Sequence, residues 1–321
     1  MRFENLEVRF EKEEIKIPVF RFGKVNSSKR LVVLGGVHGN EINGIGVLKE
    51  IVSYLSNSKV EDSLNAEIIC LPVVNVLGFK NFTRRFQNQD LNRSYSSNPS
   101  DLAEQICFDI FNAYIKDATF CLDFHDSGSN YELLLHSRMA PDNSLLVEMT
   151  KAMLIKHSLV RKPKIGMLAD FASQSNVPVL TIESGGGGRL HDIYLEQIMF
   201  GFKNFLCHFS FFTDKLNSTS DISFNLIELK TRFKYKLSST AIVKYHVKLG
   251  QKVNKSQLIC TVYEPSTASE FQIFSKKDGY VFSLSAKNIV TAKKLACDIA
   301  LDCCDYNVNT NPEIFEVIKV T

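Results

Sequence analysis

Four short apolar runs alternate with segments of helical periodicity over the first two thirds of the 321-residue chain. Each run has the length of one strand and no polar alternation, which is typical of strands buried on both faces. Strands that alternate with helices predict an α/β fold, in which a mixed, mainly parallel sheet is flanked by helices. The apolar runs are 31–39, 66–75, 119–125 and 178–186, and the predicted helices are 41–55, 98–115, 144–159 and 195–209.

The character of the sequence changes near residue 213. A polar segment, 213–221, breaks the helical pattern. Beyond it, short runs rich in Val, Ile, Tyr, Phe and Thr are separated by turn signals, which predicts a small all-β unit. The expected organisation is therefore an α/β domain over 1–213 and a β domain over 214–321.

The composition excludes several classes of protein. With a net charge of +3 and no extended Lys/Arg run, nothing in the sequence supports nucleic-acid binding. No apolar stretch approaches the roughly 20 residues that cross a bilayer, and the amino terminus lacks the apolar centre of a signal peptide. The eight cysteines form no CxxC pair. We therefore expect a cytoplasmic protein with reduced thiols.

Residues with metal-binding side chains follow the first apolar run. His38 and Glu41 stand three apart where the predicted strand meets the predicted helix. Nitrogen and oxygen ligands with an open position are typical of catalytic zinc sites. Structural roles are the alternative, because a glutamate at a helix start also interacts favourably with the helix dipole.

His125 ends the third apolar run and Glu183 ends the fourth. The carboxyl ends of the strands are where sites collect in such sheets, so we expect both near His38. Asp123 or Asp126 could accept the second imidazole proton of His125. Burial would raise the pKa of Glu183 and suit it to general acid–base work. Local capping by either side chain is the structural alternative.

The polar loop 75–95 carries Arg84, Arg85 and Arg93, with Asn92 beside the last. A planar guanidinium group binds a carboxylate at two points, and it can also stabilise an oxyanion. For any one of these arginines, the alternative is a solvated charge on an exposed loop.

In this order, HGNE (38–41), DLNR (90–93), the strand-terminal histidine and ESGG (183–186) resemble the succinylglutamate desuccinylase/aspartoacylase family. That family is a branch of the zinc carboxypeptidase superfamily. The resemblance covers about 30–205 and implies the zinc carboxypeptidase-like fold, with 1–213 as the zinc hydrolase catalytic domain. It also implies one zinc ion per chain.

The resemblance implies a role for each motif residue. It assigns His38, Glu41 and His125 as the metal ligands, and Glu183 as the catalytic glutamate. It makes Arg85 the arginine that stabilises the oxyanion. Substrate binding falls to the DLNR motif: Asn92 and Arg93 would grip a substrate carboxylate, and Asp90 would orient the loop.

The match departs from the family where the substrate is chosen. Aspartoacylases proper carry another arginine about ten residues before the catalytic glutamate, which reads a side-chain carboxylate. Ser173 stands at that distance here and the stretch has no basic residue, which argues against a second carboxylate in the substrate. The glycine run after Glu183 looks more like the N-acyl diamino acid deacetylase subgroup.

The β domain is similar to a lipoyl/biotinyl-type barrel-sandwich, through 247–262 and 273–285. The intervening turn, 264–270, has no lysine, so no lipoyl or biotinyl group is expected.

These features predict a zinc-dependent hydrolase that cleaves the amide bond of an N-acylated amino acid or a related small carboxylate. A zinc carboxypeptidase acting on a short peptide, for example a murein peptide, would use the same residues. A binding protein without turnover on this scaffold is the alternative of another class. The expected partner is the small molecule or short peptide alone, without nucleic acid or membrane, and a homo-oligomer is compatible with the sequence.

Overall fold

The computed structural model describes residues 1–25, 27–213, 225–301 and 313–318, the side chains of 313–317 excepted. Cys303, Cys304 and the start of the predicted β domain at 214–224 lie outside the described residues. The predicted division at 213/214 therefore stays a prediction.

The helices and strands follow one another in close alternation up to residue 208. The helices are α1 (Ile42–Leu55), α2 (Ser58–Ser63), α3 (Val76–Lys80), α4 (Leu102–Ile110), α5 (Ser144–Ala152), α6 (Leu168–Ser173) and α7 (Asp192–His208), with a 3-10 turn at Leu91–Arg93 and a π-helical turn at Phe111–Ile115. The first eight strands are β1 (Arg2–Phe10), β2 (Glu13–Gly23), β3 (Arg30–Leu34), β4 (Glu67–Leu71), β5 (Phe120–His125), β6 (Tyr131–Met139), β7 (His157–Val160) and β8 (Val179–Gly186). The others are β9 (Ile227–Leu229), β10 (Thr231–Leu237), β11 (Ala241–Tyr245), β12 (Lys252–Val253), β13 (Leu258–Glu264), β14 (Ser269–Phe274), β15 (Gly279–Ser285), β16 (Ile289–Val290), β17 (Leu295–Leu301) and β18 (Glu313–Ile318).

One large sheet forms the centre of the molecule, with strand order β1-β2-β4-β3-β5-β8-β6-β15-β17-β10-β18. Strands β4, β3, β5 and β8 are parallel neighbours, whereas β6 runs antiparallel to β8. The predicted α/β class with a mixed sheet is thus confirmed.

The apolar runs are uninterrupted because the central strands are covered on both faces. In β3, Leu31 and Val33 pack into a core with α1, α5 and α7. Val32 and Leu34 point to the opposite core, which contains α4 and α6. Helix α1 lies so close to β5 that a methyl group on Gly44 would come within 2.5 Å of the Phe124 carbonyl oxygen.

Two predicted helices differ from the structure by four residues or more at one end, and the helix predicted over 195–209 begins three residues earlier, at Asp192. The helix expected over 98–115 begins at Leu102, because the Asp101 carboxylate caps it by accepting from the Glu104 amide at 2.9 Å. The helix expected over 144–159 ends at Ala152. Leu154 then takes a positive φ of 55° and the chain turns into β7. Strand β6 was not anticipated from the sequence at all.

The last third of the described chain is mainly antiparallel β structure, with β18 parallel to β10. A four-stranded sheet, β14-β13-β11-β16, packs against β15 and β17 through a separate core that includes Val243, Val262 and Ile299. Strand β15 also pairs with β6, so the central sheet continues into this region. The predicted C-terminal β structure is therefore present, joined to the α/β part through β6.

No helix within the described residues is long and apolar enough to cross a membrane. The six described cysteines are all free thiols.

Candidate active site

Three side chains meet at the carboxyl edge of the central strands. His38 follows β3, Glu41 immediately precedes α1, and His125 is the last residue of β5. The Glu41 carboxylate makes no capping bond to α1 and instead faces the two imidazoles. The structural role considered for this glutamate, at the helix start, does not account for its orientation.

The ligand atoms of these residues converge on one point. His38 Nδ1 lies 2.8 Å from Glu41 Oε1, His125 Nδ1 lies 2.9 Å from Glu41 Oε2, and the two Nδ1 atoms are 3.1 Å apart. All three side chains are buried. Two imidazole nitrogens and one carboxylate form the donor set of several catalytic zinc sites. The group could therefore hold a metal ion.

The far nitrogen of each imidazole is held by a carboxylate. His38 Nε2 is 2.9 Å from Asp90 Oδ1, and His125 Nε2 is 2.9 Å from Asp123 Oδ2. Such contacts fix the ring and direct the other nitrogen to a metal. Asp123, rather than Asp126, is thus the acceptor for His125. Asp126 instead accepts the backbone amide of Asn43 at 2.8 Å.

Charge within this cluster shifts its pKa values. Burial lowers the pKa of His38, but the charge of Glu41 and the hydrogen bond to Asp90 outweigh it and raise the pKa above its usual value. Burial acts against ionisation of Glu41, yet the two histidines hold the pKa of this carboxyl well below its usual range. Burial also opposes ionisation of Asp90, but His38 and Arg84 lower the pKa of this carboxyl. The carboxylate of the donor set is therefore ionised, which suits a cation.

Glu183 is carried by β8 and lies next to the three candidate metal ligands. Its register partner on β5 is His125, and side chains paired in this way lie on the same face of the sheet. The Glu183 carboxylate is largely buried and Arg138 Nη2 lies 3.0 Å from its Oε1. The sequence interpretation missed Arg138, which is carried by the unanticipated strand β6.

The glycine run after Glu183 has a backbone reason. Residues 185–188 all have positive φ, between 67° and 123°. This conformation strongly favours glycine over residues with a Cβ. The run lets the chain turn sharply at the end of β8, immediately beyond Glu183.

The arginines of the 75–95 loop are placed differently from one another. Arg84 donates to Glu41 Oε1 at 2.6 Å and to Asp90 Oδ2 at 3.1 Å. Arg85 donates to the Asn88 carbonyl at 2.6 Å, within its own loop. The guanidinium group that lies on the histidine–glutamate cluster is therefore that of Arg84.

The DLNR motif contacts the cluster through Asp90, which lies 2.9 Å from His38. Asp90 Oδ1 accepts the Asn92 amide at 3.0 Å, so this carboxylate also shapes the loop. The Asn92 side chain is buried, and its Oδ1 accepts the amide of Leu168 at 3.1 Å. Arg93 is exposed and borders a cavity of about 410 Å³, which Arg138 also lines.

The predicted site residues thus fall into groups. The structure brings together His38, Glu41, His125 and Asp90, with Glu183 on the adjacent strand. Asn92 and Arg93 lie at the side of this cluster, and Arg85 bonds within its own loop.

Comparison with known proteins places this geometry in context. The model of the succinylglutamate desuccinylase/aspartoacylase catalytic domain matches residues 27–209, more than half of the chain. No curated protein matches the sequence.

Solved structures with the same fold share little sequence with this chain. A succinylglutamate desuccinylase/aspartoacylase from Rhodobacter sphaeroides has a TM-score of 0.78 at 17% identity, covering 94% of this chain and 96% of that one. The product-bound ectoine utilization protein EutE (DoeB) from Ruegeria pomeroyi has a TM-score of 0.77 at 17% identity, covering 94% and 95%. An aspartoacylase family protein from Mesorhizobium loti has a TM-score of 0.73 at 18% identity, also covering 94% and 95%. At these identities the likeness establishes the fold.

Proposed function

Because this chain belongs to the succinylglutamate desuccinylase/aspartoacylase family, we propose that it is a zinc-dependent hydrolase of the amide bond in an N-acylated amino acid or a related small carboxylate. The observation that carries the proposal is the buried convergence of His38, Glu41 and His125, whose ligand atoms all lie within 4.8 Å of one another. Zinc held by these three side chains would lower the pKa of a bound water and polarise the substrate carbonyl.

Glu183 is the proposed general base. It takes the proton of the attacking water and then passes it to the leaving amine. Its position beside His125 on the neighbouring strand supports this role. Asp90 and Asp123 keep the two imidazoles oriented through their far nitrogens.

Asn92 and Arg93 are the proposed clamp for the substrate carboxylate. Binding there would orient the amide bond, which turns binding energy into a lower barrier. The Asn92 side chain accepts a hydrogen bond from the backbone amide of Leu168, the first residue of α6. This bond connects the DLNR loop to α6.

Arg85 is the proposed oxyanion-stabilising arginine, on the strength of its distance from the DLNR motif. Arg84 competes for this role, because its guanidinium group already lies on Glu41. To contact a substrate, Arg85 would leave the Asn88 carbonyl, and Arg84 would leave Glu41 and Asp90.

We also propose that the protein acts in the cytoplasm on a small molecule. The free thiols of the described cysteines support a reducing compartment.

Release of free amine tests the proposed function directly. Zinc-loaded protein is incubated with N-acetyl-, N-succinyl- and N-formyl-amino acids and, in parallel, with short peptides. The Glu183→Gln variant, purified identically, reports any contaminating hydrolase. We expect cleavage of acyl amino acids by the wild type only. Cleavage of peptides alone would assign a carboxypeptidase, and no cleavage by zinc-bound protein would favour the non-catalytic alternative.

A further inference from the structure

Strand β1 forms one edge of the central sheet. Its nine residues pair with β2 from end to end without a bulge, and the strand order of the sheet begins at β1. Among the described residues, no backbone hydrogen bond joins Arg2–Phe10 to any element but β2. Within this part of the chain, the outer side of β1 therefore presents a row of unpaired N–H and C=O groups, onto which a further strand can pair.

The turn between β1 and β2 determines which backbone groups face outward. The register pairs Phe10 with Glu13 across a two-residue loop, in which Glu11 takes the positive φ of 52° that such hairpin turns use. The Phe10–Glu13 pair closes the turn by hydrogen bonding, and hydrogen-bonded pairs alternate with non-hydrogen-bonded pairs along antiparallel strands. The outward groups of β1 therefore belong to its odd-numbered residues, which are Phe3, Asn5, Glu7 and Arg9.

A proline on β2 supports this assignment independently. Pro18 is the register partner of Asn5. Proline has no backbone N–H, so it cannot donate in a hydrogen-bonded pair. Asn5 and Pro18 therefore form a non-hydrogen-bonded pair, and the Asn5 N–H group points away from β2.

The charged side chains of β1 do not block this edge. Charges on an edge strand are a common protection against pairing with another chain. Here the Glu7 carboxylate lies 2.8 Å from Lys16 Nζ, and Arg9 Nε lies 2.8 Å from the Glu14 carboxylate. Both partners are on β2, so these ion pairs neutralise the charges across the surface of the hairpin. A second strand would therefore meet a polar edge without an excess of one charge.

The sequence of β1 is complementary to itself in one antiparallel register. When Leu6 lies on a two-fold axis, every residue of the strand has a partner in the second copy. Asn5 then faces Glu7 and Phe3 faces Arg9, so no like charges stand directly opposite each other. An axis at Asn5 would leave one end of the strand unpaired, and an axis at Glu7 would place two glutamates opposite each other.

The even-numbered residues add apolar surface to this contact. Leu6 and Phe10 are only half-buried, although both pack against the core that contains α4 and α6. In a joined sheet, Leu6 of one copy would lie against Leu6 of the other as a non-hydrogen-bonded pair, whose side chains approach closely. Removal of this apolar surface from water favours association.

We propose that the protein forms a symmetric dimer, in which the β1 strands of two copies pair antiparallel about Leu6 and join the two central sheets. A two-fold contact of this kind is closed, so association stops at two copies. The candidate metal ligands and Glu183 are at β3, β5 and β8, and β2 and β4 lie between these strands and the β1 edge. Association and the proposed hydrolysis are therefore independent, and each can fail without the other.

Light scattering coupled to size exclusion tests the dimer on the zinc-loaded full chain. We expect the wild type to be dimeric at about 100 µM chain, well above the micromolar dissociation constant that corresponds to a small interface. A wild type that stays monomeric at this concentration, or that assembles beyond two copies, would overturn the proposal.

The Asn5→Pro variant tests whether the β1 edge forms the interface. It removes an outward N–H group and keeps the bonds to β2, because proline is tolerated on an edge strand when its nitrogen faces away from the partner strand. We expect the dissociation constant of the dimer, measured by ultracentrifugation, to rise about 100-fold, because two symmetry-related hydrogen bonds are lost. Asn5→Ala keeps the amide and is the matched control, which should dimerise as the wild type does. A dimer that Asn5→Pro leaves intact would place the interface elsewhere and reject the proposal.

Cross-linking at the axis tests the register and does not depend on the proline variant. Leu6→Cys would place two thiols at a pair whose Cα atoms are about 4.5 Å apart, a distance that a disulfide spans. We expect copper phenanthroline to convert folded Leu6→Cys into a disulfide-linked dimer. In the Phe3→Cys control the two thiols would lie roughly 20 Å apart at about 3.4 Å per residue, so this variant should stay unlinked. The wild type reports the background from its eight native cysteines. Failure of folded Leu6→Cys to cross-link, or equal linking of Phe3→Cys, would contradict the proposed pairing.

Discussion

The two imidazoles of the candidate metal centre are each fixed at the far nitrogen by a carboxylate. Asp90 contacts His38, and Asp123 contacts His125. The metal-binding residue types and their order along the chain were visible in the sequence. The choice of Asp123 over Asp126 was not, because it depends on where a strand ends and on which way each side chain then points.

Glu183→Gln separates catalysis from metal binding at one residue. The amide cannot accept the water proton, so we expect turnover to fall at least ~10²-fold, the lower end of what general acid–base catalysis contributes. Zinc content should be unchanged, because Glu183 is not among the converging ligands. The measurement is kcat with metal analysis, and Glu132→Gln is the control. Normal turnover by Glu183→Gln would remove this residue from the mechanism.

Arg84 and Arg85 are adjacent and differ in their contacts, which makes them a matched pair. We expect Arg85→Ala to lower kcat about 10²- to 10³-fold with little change in KM, as removal of an oxyanion donor does. Arg84→Ala should mainly raise zinc affinity, because it removes a positive charge that occupies Glu41 Oε1 and contacts Asp90. Steady-state kinetics measure kcat and KM of both variants, and zinc titration measures their metal affinity. A large kcat loss in Arg84→Ala alone would exchange the two roles.

Strand β6 connects the strands that carry the candidate active site to the C-terminal β structure. It carries Arg138, borders β8 and pairs with β15. The sequence did not predict it, since a nine-residue strand with partial alternation between two loops gives a weak local signal. Its stability comes from neighbours at both sides, β8 and β15, which are distant along the chain.

His157, at the start of β7, tests how this region responds to acid. Burial, with a smaller effect of Lys156, lowers the pKa of His157 to about 4. The folded state therefore favours the neutral ring. The contribution of the neutral His157 ring to the free energy of unfolding is complete above the unfolded pKa of about 6.5. It is lost as the pH falls from there towards 4. Between pH 7 and 4.5, we expect His157→Gln to lose about 2 kcal/mol less unfolding free energy than the wild type.

Urea unfolding at the two pH values measures that difference. His208→Gln is the control, because His208 is on the surface beside Glu148. Equal losses in wild type and His157→Gln would show that this ring does not contribute to acid sensitivity.

At the scale of the whole molecule, the central sheet brings distant segments to one edge. The α/β class followed from the alternation of apolar runs with helical segments, because each run is buried on both faces. The cavity bordered by Arg93 and Arg138 did not follow from the sequence. Its basic side chains come from two loops, from β6 and from β10, and only the folded chain shows that they share a surface.

Zinc content per chain, measured by elemental analysis after dialysis, tests whether His38, Glu41 and His125 hold a metal ion. The comparison is between wild type and His125→Ala, with circular dichroism to verify that the variant is folded. We expect about one zinc per chain in the wild type and almost none in His125→Ala, because a metal site of this kind needs all three protein ligands. Full zinc occupancy in folded His125→Ala, or zinc-free wild type after zinc loading, would contradict it.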